Sequence, residues 1–151
     1  MGFPAFLCID RGVNMATDTQ NFKVSEFTCH CRCGYNVIDQ RVIDMAQTIR
    51  EALGVPVHVN SGCRCEKRNA AVGGAKKKYD KADKLISKGS NHMYGLAADL
   101  SCSLGAVKMF ETVKKLYAEG KLLNLDYCIR YKTFIHIDCG GRRKTLWEIR
   151  A

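Results

Sequence analysis

Ser90-Asn91-His92-Met93-Tyr94-Gly95-Leu96-Ala97-Ala98-Asp99, followed later in the chain by Phe134-Ile135-His136-Ile137-Asp138, sets two imidazoles and a carboxylate in an order that suits one metal ion. Catalytic zinc is held by three protein ligands of this type, with the fourth tetrahedral position left to water, whereas closed structural sites favour four Cys or His ligands. His92, Asp99 and His136 are the candidate ligands, and the set is of the open, catalytic kind. Ala97 to Ser101 is short and apolar and follows Gly95, which suits a buried strand with Asp99 facing the same side as Ala97 and Ser101. His92 then sits on the preceding loop, and Gly95 lets the chain turn back so that both side chains reach one point. From Thr133 to Cys139, alternation puts Phe134, His136 and Asp138 on one face of a second strand. His30 and His58 lie outside this pattern and read as ordinary surface or core residues.

Working outward, apolar Val42, Met45, Ala46, Ile49 and Leu53 recur at helical spacing from Asp39 to Leu53, with Asp39 as the cap and Gly54 and Pro56 as the stop. Val55 to Asn60 alternates as a strand, its valines inward and His58 on the opposite face. A second amphipathic helix is expected from about Ala106 to Ala118, using Val107, Phe110, Val113 and Leu116 or Tyr117, with Gly120 as its stop. Leu125 to Arg130 and Thr133 to Cys139 are the closing strands. The expected class is α+β, a small, mainly antiparallel sheet with helices packed on one side.

The segment SNHMYGLAAD resembles the SxHxxGxAxD signature of the zinc D-Ala-D-Ala carboxypeptidase family, which includes phage L-alanyl-D-glutamate endolysins and shares its fold with the hedgehog signalling domain. Phe22 to Phe27, Val59 to Arg64, Asn69 to Gly74 and Phe134 to Asp138 look like further blocks of one branch, often found in phages and prophages, so the resemblance runs from about Asn21 to Trp147. It implies a Zn2+-dependent hydrolase acting on the stem peptide of peptidoglycan, as an endopeptidase or a carboxypeptidase. Arg64 is similar to the family arginine that contacts the substrate carbonyl or the oxyanion, and Ser90 to a position that contacts the peptide. Many relatives carry the catalytic Glu or Asp three residues before the last His, where this chain has Thr133. Asp138 is then the leading candidate for general base, with the rival role of holding the His136 ring; Asp126 is a weaker option, and Glu148 lies beyond the motif. The vacancy at Thr133 also sustains a different reading, a non-catalytic binding domain that kept the metal site.

A chain of 151 residues with 46% apolar content fits one core, so 21–151 reads as a single domain behind a poorly ordered extension, 1–20. No apolar run approaches a membrane span, and the opening lacks a basic start, so the expectation is cytoplasmic synthesis without a signal peptide and action at the wall or periplasm. The net charge of +9 is concentrated in Lys76 to Lys78, Lys81, Lys84, Lys88 and Arg142 to Lys144, which favours anionic wall polymers as a partner. No specific nucleic acid is expected, because a basic cysteine-rich binding module would leave His92, Asp99 and His136 unexplained. Ala75 to Gly89 departs from the family pattern and reads as a mobile flap at the cleft rim, with one or two helical turns around Ala82, Leu85 and Ile86. Nine cysteines is an odd number and argues against a fully paired disulfide framework. Cys29, Cys31, Cys33, Cys63 and Cys65 leave three readings open: free thiols, one or two disulfides, or a second, structural zinc site.

Overall fold

The computed structural model describes residues 16–141 and 145–151. Among the described residues, seven strands and three helices follow one another as α1 (Gln40–Leu53), β1 (Val57–Ser61), α2 (Glu66–Ala71), β2 (Lys78–Tyr79), β3 (Leu85–Ser87), β4 (Ala97–Cys102), α3 (Gly105–Ala118), β5 (Tyr127–Arg130), β6 (Ile135–Asp138) and β7 (Trp147–Ile149). Single turns of 3-10 helix occupy Val24–Phe27 and Asn91–Tyr94. The main sheet has the order β1-β4-β6-β5-β7 and is antiparallel except for β5 beside β7. The fold is therefore α+β with a mainly antiparallel sheet, as the periodicities indicate.

Pleating divides this sheet into two chemically distinct faces. Ala98, Leu100, Cys128, Ile135 and Ile137 are fully buried on the face covered by α1 and α3. The opposite face carries Asp99, Tyr127, Ile129 and His136, so the helices insulate one side and the chemistry sits on the other. α1 is capped as its sequence suggests: Asp39 accepts the Arg41 N–H, and Gly54 ends the helix at φ 70°. α3 buries Ala106, Met109, Phe110, Val113 and Leu116, a stripe one residue out of register with the expected one at its start, since Val107 points to solvent at 58% exposure.

The short β7 escaped the sequence reading. Trp147 pins it, packing edge-on against Phe110 and Tyr117 of α3 at 5.7 and 5.6 Å between centroids. Alternation then turns Glu148 and Arg150 to the other face of the sheet.

The lysine-rich insertion is not helical. Lys78 pairs with Ser87 and Tyr79 with Leu85, making a two-stranded hairpin apart from the main sheet. Asp80 organises its turn by accepting the N–H groups of Ala82 and Lys84, and Asp83 takes the left-handed conformation at φ 60°. That local bonding by aspartate outcompetes the weak helical periodicity of Ala82, Leu85 and Ile86.

Of the expected extension, residues 1–15 lie outside the described residues, as does the basic triplet 142–144. Thr17 donates its N–H to Gln40, and the Thr19 hydroxyl and Asn21 N–H share the Gln47 side-chain oxygen, so residues 17–21 are bonded to α1. Among the described residues, no helix is long and apolar enough to cross a membrane.

Candidate metal centre

Strand register brings the candidate ligands together. Asp99 on β4 lies directly opposite His136 on β6, with both side chains on the open face of the sheet. His92 arrives from the 3-10 turn Asn91–Tyr94, whose N–H at His92 is capped by the Ser90 hydroxyl at 3.2 Å. Gly95 ends that turn at φ 70°, and a Cβ there would meet the Val37 carbonyl oxygen at 2.2 Å. Only glycine fits both demands. Gly95→Ala is expected to destabilise the fold by about 2 kcal/mol or more, from the left-handed backbone and the clash combined. An unchanged denaturant midpoint would contradict this account of the turn.

The donor atoms form a tight triangle. His92 Nε2 lies 3.2 Å from His136 Nδ1 and 3.3 Å from Asp99 Oδ1, and His136 Nδ1 lies 3.1 Å from Asp99 Oδ1. Ligands about 2.0 to 2.1 Å from a tetrahedral ion stand about 3.3 Å apart, so these three atoms have the spacing of three corners of a site that could hold such an ion.

The distal nitrogens are spoken for. His92 Nδ1 donates to the Gly62 carbonyl at 2.7 Å, and His136 Nε2 donates to Asp138 Oδ2 at 2.8 Å. Each ring therefore carries its proton away from the triangle and turns a lone pair into it, the tautomers that metal ligation requires.

Electrostatics follow the same design. Burial depresses the His92 pKa, keeping that ring neutral. For His136, burial acts downward, but the carboxylates of Asp138 and Asp99 outweigh it and raise the value. Burial likewise pushes Asp99 upward, yet the two imidazoles beside it outweigh this and hold its carboxyl well below the usual range. Asp99 is thus a fixed anion between two histidines.

The triangle opens into a cleft of about 690 Å³, which Arg64, Ser90, Tyr127, Tyr131 and Arg150 help to line. Arg64 is drawn in by the β1–α2 loop, its own N–H bonded to the His92 carbonyl. Burial depresses its pKa, and its Nε is buried with no hydrogen-bond partner. Arg64 thus lines the cleft while keeping one buried donor without an acceptor.

Asp138 is completely buried, at the floor of the cleft that it helps to line. Asp126, by contrast, accepts the Gly141 N–H and does not line the cleft. Thr133 is exposed on the β5–β6 turn. Glu148 reaches the cleft wall through its bonds to the Tyr127 hydroxyl and to Arg150 Nε, both on lining residues. The alternation Trp147-Glu148-Ile149-Arg150 was the available sign of that placement, but a three-residue strand is too short to read with assurance.

The cysteines divide as well. Cys63 turns into the core, where its thiol donates to the Tyr35 carbonyl, while the sulfurs of Cys29, Cys31, Cys33 and Cys65 gather within 4.8 Å of one another. Described cysteines are all free thiols. Burial pushes the Cys29 thiol up, but hydrogen bonds from Cys65 and Cys31 outweigh this and hold it at about 7. The neighbouring Cys33 and Cys29 sulfurs push Cys31 up to about 12.

In sequence comparison, the family described as Peptidase M15 matches residues 20–138, a span that contains all three triangle residues, Arg64, Ser90 and Asp138. No curated protein matches the chain.

Proposed function

The chain belongs to the Peptidase M15 family, and from that premise we propose that it is a zinc-dependent peptidase that hydrolyses a D-amino-acid-containing peptide bond of peptidoglycan, as an endopeptidase or a D,D-carboxypeptidase. The observation that carries this reading is the triangle of His92 Nε2, Asp99 Oδ1 and His136 Nδ1, with each ring's other nitrogen already bonded elsewhere. A zinc ion held by these residues supplies Lewis-acid polarisation of the scissile carbonyl and makes a water acidic enough to attack near neutral pH.

This chain's residues do the rest. Gly62 and Asp138 fix the two imidazoles, and the bond from His136 Nε2 to the fully buried Asp138 carboxylate suits it to holding that ring rather than to accepting the proton. The holding role is the one proposed for it. Glu148, bonded to Tyr127 and Arg150 on the cleft wall, is the carboxylate left to take the proton of the attacking water and return it to the leaving amine. The Arg64 guanidinium, in the cleft lining, offers the developing oxyanion donors that never titrate near neutral pH. Ser90 acts indirectly, capping the turn that presents His92, and its position in the cleft wall supports a peptide contact. The exposed hairpin with Lys78 and Lys81 at the rim suits anionic wall polymers.

Arg64→Ala is expected to lower turnover about 100-fold while zinc content and folding persist. Arg64→Lys recovers only part, because a point charge replaces a planar fork. Normal turnover in Arg64→Ala relegates the residue to loop support. The substrate itself is tested by digesting purified muropeptides and locating the cut by mass spectrometry. Scission next to a D-residue supports the proposal. Binding to the wall without any cut favours the non-catalytic reading.

A further inference from the structure

The segment Cys29 to Gly34 and the loop between β1 and α2 meet through sulfur. Cys29 Sγ lies 3.4 Å from Cys31 Sγ and 3.7 Å from Cys65 Sγ, and Cys31 Sγ lies 3.6 Å from Cys65 Sγ. Cys33 Sγ completes the group within 4.8 Å. A disulfide requires sulfurs about 2.05 Å apart, so no pair here is bonded. A tetrahedral zinc with Zn–S bonds of about 2.3 Å separates its sulfurs by about 3.8 Å, close to the three spacings seen. Three mutual distances of this size around one point are the edges of a tetrahedral face.

Two further features fit a charged cluster better than four packed thiols. The N–H of Cys65 points at Cys29 Sγ at 3.4 Å, and the N–H of Arg68 at Cys65 Sγ at 3.3 Å, the donors that metal thiolates collect from nearby backbone. Arg32 holds a left-handed backbone at φ 64° between two of the cysteines, a conformation that persists where surrounding bonds over-determine it. Arg32, Arg64 and Arg68 flank the cysteines in sequence, a basic setting for the double negative charge that four thiolates leave around a divalent ion.

We propose that Cys29, Cys31, Cys33 and Cys65 form a second, closed zinc site, independent of the His92–Asp99–His136 centre, that staples the Cys29 to Gly34 segment to the loop carrying Gly62 and Arg64. Each coordinating thiol gives its proton to solvent as the ion binds. The staple bears on the cleft, because the same loop supplies the carbonyl that orients His92 and the guanidinium that lines the wall. Close packing reinforces it: Cys63 N–H donates to the Phe27 carbonyl, and a Cβ at Gly62 would lie 2.4 Å from that oxygen.

The test counts zinc per chain in the full-length protein purified under reducing conditions, then repeats the count after cobalt exchange. The expected result is about two ions in the wild type and one in a His92→Ala/His136→Ala variant, whose cobalt form keeps intense thiolate-to-metal charge-transfer absorption. A Cys31→Ser/Cys33→Ser variant, changed only at exposed positions, should retain one ion and lose that absorption. The proposal is overturned if the histidine variant is metal-free, or if cobalt-loaded wild type lacks thiolate absorption. It is equally overturned if mass spectrometry of the wild type finds these cysteines in disulfides. Retention of two ions in the histidine variant would instead count against the His–Asp–His centre, so the two assignments fail separately.

Discussion

Replacing His92 or His136 with alanine is expected to remove the ion from the cleft and to cut hydrolysis of muropeptides by roughly a thousandfold or more, because Lewis-acid stabilisation is worth several kcal/mol and each 1.4 kcal/mol is a factor of ten. Neither side chain can be spared. Removing one corner of a triangle with sides of 3.1 to 3.3 Å leaves two ligands and a solvated gap. The fold should persist, since the hydrophobic core lies on the far face of the sheet under α1 and α3. Measuring metal content beside turnover checks the claim; variants that keep one cleft ion per chain would contradict it.

The second large effect divides two carboxylates that sequence alone confuses. Glu148→Gln should leave zinc in place and lower turnover by about 10² to 10⁴-fold, because the amide cannot accept a proton. Asp138→Asn should instead weaken zinc affinity roughly 10 to 100-fold and allow substantial activity once zinc is saturating, because His136 loses the acceptor that fixes its tautomer. The pair of variants thus separates a proton carrier from a positioning residue. If Asp138→Asn is inactive even at saturating zinc while Glu148→Gln is normal, the roles assigned here are reversed.

The contrast between those residues shows what sequence could carry. The α1 stripe, the Asp39 cap and the alternation that aligns His136 with Asp138 are local, period-dependent features, and they were legible from residue order. Gathering His92, Asp99 and His136 rested on motif order, with the β4–β6 register supplying the physical reason. Depth of burial was not legible. Nothing in Phe134 to Asp138 says that Asp138 is fully buried behind the imidazole, whereas Thr133 stands in solvent. Glu148 was obscured for a different reason: its strand is short and is fixed by Trp147 against a helix distant in sequence. In the hairpin, the turn chemistry of Asp80 and Asp83 overrode the apolar spacing that suggested a helix. The cysteines needed three dimensions altogether, since Cys65 joins Cys29 and Cys31 while Cys63, two residues away, turns into the core.

Whether the cleft ion drives peptide cleavage is decided by removing it and giving it back. Purified muropeptides are incubated with the native protein, with protein stripped by a chelator, and with stripped protein given back zinc. Cleavage is expected in the first and third samples and almost none in the second, with the same peptide bond cut in both active samples. Cleavage that survives removal of the cleft ion would contradict zinc dependence.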